Sequence, residues 1–263
     1  TSTQTSLSIY SALAKCQAEG YSIVANNDGN AVVWFTCIPQ DATTLTVKVE
    51  AADGDTYTKE FGRAITLTRG DVKGFGVSMT KDAPKIYGYQ KITTVEDYTA
   101  GDYIIVAHVY KENCPTKGDF AISNTLTLNS DKLPGQNVTN FIENDVIYAN
   151  DGSSYKLTLS GDKDNIEISN GSNKLGWKSS TDLVLGGNNT TWSLSLNDGD
   201  GGTFKLHNNN ATNRALLFQS HNENNATLQF GAYAVSNITN VQYAAIELYK
   251  YQEIAAPTPK YAI

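Results

Sequence analysis

Apolar and polar residues alternate with a period of two through most of this chain. Residues 45–51 (LTVKVEA) put Leu45, Val47 and Val49 on one face and Thr46, Lys48 and Glu50 on the other, the pattern of a half-buried strand. Asp53-Gly54-Asp55 follows; Asp-Gly supplies the positive φ of a hairpin turn, and residues 56–61 (TYTKEF) return. Ile65-Thr66-Leu67 and residues 74–79 (GFGVSM) continue the series after further turn residues. Residues 31–38 (AVVWFTCI) are a continuous apolar run, which predicts a strand buried on both faces and stopped by Pro39. No convincing 3.6-residue period exceeds about three turns; the best helical stretch, residues 9–16, is short. The pattern predicts an all-β chain.

Asparagine divides it. Residues 1–100 hold 3 of the 25 Asn and residues 101–250 hold the other 22. That shift in turn chemistry predicts two domains, 1–84 and 85–252, with 253–263 as a tail. Asp82-Ala83-Pro84-Lys85 reads as the linker, because Pro ends strand pairing. The second segment carries a weak internal repeat. Tyr155-Lys156-Leu157-Thr158-Leu159, Trp192-Ser193-Leu194-Ser195-Leu196 and Ile246-Glu247-Leu248-Tyr249 align as closing strands. Ile166-Glu167-Ile168 and Phe204-Lys205-Leu206 align as opening strands, and Tyr103-Ile104-Ile105-Val106 followed by Phe120-Ala121-Ile122 supplies the first unit.

Two resemblances follow from these residues. Residues 30–80, with their order of apolar run, alternating hairpin and GFGVSM strand, resemble the closing strands of fimbrillin-like proteins, the pilus and adhesin subunits of Bacteroidota. The resemblance implies a β-sandwich that is incomplete at its N-terminus. The three units of residues 88–251 resemble a β-trefoil and look like a C-terminal module of secreted Bacteroidota proteins. Lectin-like trefoils place a Trp on each closing strand, as Trp192 stands here. Tyr155 and Ile246 at the other two closing positions favour a shared core role over a shared sugar-binding role.

Charge and composition narrow the function. The net charge is −7, which argues against a nucleic-acid partner, and no run approaches the roughly 18 apolar residues of a membrane helix. The chain opens Thr1-Ser2-Thr3-Gln4 without Met, so upstream processing or trimming is expected. Seven Asn-x-Ser/Thr sequons lie between Asn137 and Asn237; they fit glycosylation in a eukaryotic secreted chain and composition alone in a bacterial one. Cys16, Cys37 and Cys114 form no CxxC; the first two are compatible with a pair or with buried free thiols. His108, His207 and His221 have no Cys or carboxylate at metal-ligand spacing, so no metal and no cofactor are expected. No Ser sits in a nucleophile elbow. Asp162-Lys163-Asp164-Asn165 and residues 197–202 space carboxylates as calcium loops do, yet both read more simply as hairpin turns. Arg69-Gly70-Asp71 fits a polar turn better than an integrin motif.

Carbohydrate binding is the sharper expectation, because a pyranose offers an apolar face to an aromatic ring and a rim of hydroxyls to amides and imidazoles. Trp177, His221, Asn222 and Tyr233 supply those groups. Core packing is the alternative role for Trp177 and Trp192. Together with the resemblances, this predicts a non-catalytic, secreted or outer-membrane-surface adhesion protein, a pilus tip or accessory subunit. Its partners would be a glycan or other cell-surface ligand and, by strand exchange, pilus subunits. A glycoside-directed enzyme with an accessory module and a purely structural pilus subunit are the alternatives.

Overall fold

A computed structural model of the chain describes residues 4–11, 15–17, 23–24, 40–42, 45–51, 55–61, 65–67, 78, 80–197, 201–222 and 225–255. The chain is all-β and divides into two compact units, Thr1–Pro84 and Lys85–Ile263. Expected features at residues 31–38, Cys37, Gly54, Arg69-Gly70-Asp71 and most of 74–79 lie outside the described residues, as do Asp198 to Asp200 and residues 256–263.

The first unit holds β1 (Gln4–Ser11), β2 (Lys15–Gln17), β3 (Ile23–Val24), β4 (Gln40–Ala42), β5 (Leu45–Ala51), β6 (Thr56–Phe61) and β7 (Ile65–Leu67). One sheet runs β2-β1-β5-β6, with β3 also on β1, and β4 pairs with β7 in a second. Leu45 faces Phe61 and Glu50 faces Thr56, so the two alternating strands pair antiparallel as their pattern predicts. The stretch too short for a helix is strand where it is described: residues 9–11 and 15–17 pair Ile9 to Cys16 and Tyr10 to Lys15. A helix of about two turns is marginal alone, whereas pairing with β5 satisfies the same backbone groups. The outer edge of β6 is capped by the segment that follows it. Asp82 N–H donates to Thr56 O at 2.8 Å, Thr58 N–H and Oγ1 donate to the Asp82 carboxylate at 2.9 and 2.8 Å, and Tyr57 bridges to Lys81.

The second unit begins with β8 (Ile86–Lys91), β9 (Gly101–Val109), β10 (Gly118–Ile122), β11 (Leu133–Asn137), β12 (Ile142–Glu143), β13 (Val146–Tyr148) and the short helix α1 (Ala149–Gly152). It continues with β14 (Leu157–Ser160), β15 (Ile166–Ser169), β16 (Leu175–Ser179), β17 (Asp182–Leu185), β18 (Thr191–Leu196) and β19 (Phe204–Asn208). The last strands are β20 (Ala211–Asn222), β21 (Asn225–Ala234), β22 (Tyr243–Ala244) and β23 (Ile246–Ile254). Six of them close a ring, β9-β14-β15-β18-β19-β23 and back to β9. Between the first and last ring strand of each successive pair lies a hairpin-like pair: β10–β11, β16–β17 and β20–β21.

Period-two alternation explains the core. Tyr103, Ile105 and Ala107 from β9, Leu157 and Leu159 from β14, and Ile166 and Ile168 from β15 point inward. Trp192 and Leu194, Phe204 and Leu206, and Ile246 and Leu248 complete the ring. Trp192 is fully buried and its indole N–H donates to Leu175 O at 2.9 Å, so the polar edge of the largest core side chain is satisfied. The intervening residues of β9 and β23 face the other way. Ile104, Val106 and Tyr249 form a second cluster with Tyr89, Ala121, Val138 and Ile147.

Candidate functional site: an exposed tyrosine pair

The residues expected from sequence to contact a ligand are not gathered at one place. Trp177, on β16, is half-buried against the core, opposite Leu183, and its indole N–H donates to Ser180 O at 3.1 Å. Asn222 is exposed at the end of β20, opposite Asn225. His221 is only 4% exposed; its Nδ1 lies 2.8 Å from Ser220 Oγ and 3.7 Å from Cys114 Sγ. The register of β20 against β21 shifts between Gln219 and His221, and a bulge re-aims side chains locally. Here Ser220 and His221 are both buried. Tyr233 is also 4% exposed and its hydroxyl is held by Gln219 and Gln229 at 3.1 and 3.0 Å. It faces Ala215 whereas His221 faces Ala226, which separates the two backbone positions by roughly 20 Å along the hairpin. The Trp177 hairpin touches the Tyr233 strand through Ala232 N–H to Thr181 O at 3.0 Å.

The exposed aromatics lie elsewhere. Among the described residues the large exposed apolar side chains are Tyr87, Tyr110, Leu196 and Tyr251. Tyr87 and Tyr251 belong together: Tyr89 faces Tyr251 and Tyr87 faces Glu253 across β8 and β23, so all four side chains share one face. The Tyr87 and Tyr251 rings are 42% and 40% exposed, 5.8 Å apart and inclined by 18°. Tyr89 supports them from below, 5.2 Å from Tyr251. It is buried because α1 crosses it: a Cβ on Gly152 would come within 2.5 Å of the Tyr89 ring. Burial, with the charge of Asp102 and the nearby Tyr251, pushes the Tyr89 phenol up to about 12.

Charged groups flank the pair on both sides. On one side Lys85 Nζ meets Glu253 Oε2 at 2.6 Å, both well exposed. On the other, Lys156 Nζ meets Asp102 Oδ2 at 3.2 Å, and Thr158 Oγ1 donates to Asp102 Oδ1 at 2.9 Å. Lys250 faces Tyr103, so Asp102 is one residue on, beside Tyr251. A signal for this site was in the sequence. Tyr87-Gly88-Tyr89 and Tyr249-Lys250-Tyr251 each repeat Tyr at a two-residue interval, which puts both rings of a strand on one face.

Further along the same face Lys91 Nζ binds Glu247 Oε1 at 2.6 Å, and the Tyr249 hydroxyl donates to Glu247 Oε2 at 3.0 Å. His108 Nδ1 lies 2.6 Å from Asp119 Oδ1, with the Tyr110 ring 4.3 Å from the imidazole. The hydrogen bond that His108 donates to Asp119 holds the His108 pKa above its usual value. His207 is set differently: Nδ1 donates to Thr212 O at 3.1 Å, so Nε2 accepts from Ser195 Oγ at 2.9 Å, and burial lowers its pKa. Asp162 is occupied by its own turn, accepting from Asp164 N–H at 3.0 Å and from the Asn165 amide at 3.3 Å. Among the described residues no three His, Cys, Asp or Glu side chains converge as a metal site. No helix there is long and apolar enough to cross a membrane.

No protein-family model matches the chain, and no curated protein does. Among solved structures it is similar to one titled "Crystal structure of lysenin pore", with a TM-score of 0.32 and 11% identity. The alignment covers 81% of this chain and 66% of that one, so the chain spans just under two thirds of that protein's length.

Proposed function

We propose that the second unit is a β-trefoil-like glycan-binding domain of a secreted or surface-anchored, non-catalytic adhesion protein, and that Tyr87 and Tyr251 are its contact surface. The trefoil reading is supported by the closed ring of six strands with a strand pair hung from each third of it. The binding reading rests on one observation: two nearly parallel tyrosine rings stand open, side by side, on a sheet face where Tyr89 and Tyr249 are buried. Tyrosine rings left exposed keep an apolar face in water, and a pyranose supplies the apolar face that covers them. Lys85, Glu253, Asp102 and Lys156 stand where the sugar hydroxyls would lie.

A pilus tip or accessory role, with the first unit as the sandwich that docks to an assembly, extends this reading. Strand exchange along β6 would have to displace Lys81 and Asp82 from that edge. The test is a glycan array probed with the full chain, with Tyr87→Ala, Tyr251→Ala and Trp177→Ala in parallel. The expected outcome is binding that falls about tenfold with either tyrosine substitution and persists with Trp177→Ala. Binding lost only with Trp177→Ala would move the site to the β16–β17 hairpin.

A further inference from the structure

The charges around the tyrosine pair say what kind of glycan it takes. Lys85 is neutralised by Glu253 and Lys156 by Asp102. Farther along the face, Lys91 is paired with Glu247 and His108 with Asp119. Each of these four cations is therefore matched to a carboxylate within 3.2 Å. An acidic sugar, a uronate or a sulfated residue, would bring its charge beside Lys85 and Lys156, which already have the carboxylates of Glu253 and Asp102 as partners. It would lose hydration there without a counter-charge to repay it. A neutral sugar meets the opposite situation. Its hydroxyls both donate and accept, so one hydroxyl can donate to the free lone pairs of Asp102 or Glu253 while its neighbour accepts from Lys156 or Lys85. Ion pairs of this kind bind without being pulled apart.

Resting on the glycan-binding reading, we propose that the Tyr87–Tyr251 surface is selective for neutral pyranose glycans and discriminates against acidic ones. The two ion pairs are the specificity-determining groups and the two rings supply the affinity. Because the ligand carries no net charge, its binding does not depend on screening.

The experiment measures binding of the full chain to neutral gluco-, xylo- and manno-oligosaccharides and, side by side, to polygalacturonate and a sulfated polysaccharide. Neutral binding is expected to change less than about twofold between about 50 and 500 mM NaCl, because an uncharged ligand has nothing to screen although the Debye length shortens from about 14 to about 4 Å over that range. Glu253→Lys with Asp102→Asn turns the rim cationic and is expected to gain binding to polygalacturonate by about tenfold or more. Thermal melts of each variant confirm that it is folded. Tyr87-dependent binding to acidic glycans in preference to neutral ones would overturn the selectivity while leaving the glycan reading intact. Absence of binding to every glycan would overturn the glycan reading itself, and the selectivity with it.

Discussion

Tyr233 on hairpin β20–β21 and the Tyr87–Tyr251 pair on β8 and β23 are the same side chain in opposite circumstances. Tyr233 packs with Ala215 and Leu217 beneath a strap of residues 235–243. The strap is fastened by the Lys111 ammonium, which donates to Ile238 O at 2.8 Å, Tyr243 O at 2.7 Å and Asn240 O at 3.3 Å. Tyr243, carried on the strap, meets the Tyr233 ring edge-on at 4.9 Å, and Gln219 and Gln229 close the hydrogen bonding. Everything Tyr233 can offer is already taken. Tyr87 and Tyr251 have a floor in Tyr89 and, among the described residues, no element that buries their outer faces. Aromatic content alone therefore does not mark a binding surface; the element that covers the aromatics does. A covered tyrosine contributes to stability, and an open one is free to contribute to recognition.

The largest effect expected is alkaline. Burial holds the phenols of Tyr98, Tyr103, Tyr233 and Tyr249 protonated above their ordinary range, and Tyr89 up to about 12. In the unfolded chain a tyrosine loses its proton near pH ~10, so between that pH and the raised folded values the native state binds more protons. This stability is complete below the unfolded pKa and is lost as pH rises through the folded ones. Denaturant midpoints measured from pH 8 to 12 should fall steeply above about pH 10. A flat profile would show that these phenols are accessible and the covered cluster is not covered.

Next in size is Tyr233→Ala, expected to cost about 3–5 kcal/mol. It removes a buried ring and takes one hydrogen-bond partner each from Gln219 and Gln229. Lys111→Met should cost less, about 1.5–3 kcal/mol, the range for hydrogen bonds from a charged donor. Its signature is local: faster amide exchange at Ser220, whose N–H donates to Gln242 O of the strap at 2.9 Å, with the ring strands unchanged. Equal acceleration in β9 and β14 would mean that the strap and the ring open as one.

What the sequence revealed divides along the same line. Short-range pattern was sufficient for Leu45–Ala51 with Thr56–Phe61, and for Phe204–Asn208, because alternation and turn chemistry are local. At residues 9–11 the strand rests on long-range pairing with β5, which no local pattern shows. His221 has the polar neighbours of a ligand contact, yet β20 runs on to Asn222 and His221 is buried beside a register shift that local pattern does not reveal. Trp192 could be placed in the core from its alternating strand. The tyrosine pair was hidden for a different reason: Tyr87 and Tyr251 are far apart in sequence, and only the β8–β23 register joins them.

The smallest effect on stability should come from the open pair itself, and that is what makes it informative. Tyr87→Ala and Tyr251→Ala each remove a ring that is two-fifths exposed and meets its neighbour at 5.8 Å. An aromatic pair of this kind is worth about 0.5–1.5 kcal/mol, and exposed positions usually shift stability by about 0.5 kcal/mol. Each substitution should therefore move the denaturant midpoint only slightly, with an unchanged slope, and the double variant should fall short of the two losses added, because the rings share one contact. If either substitution cost as much as Tyr233→Ala, the pair would be packing residues like the covered cluster, and the contrast between the two regions would collapse. A small stability loss joined to a large loss of glycan binding is the combination that only a recognition surface gives, since a structural role would lower both together.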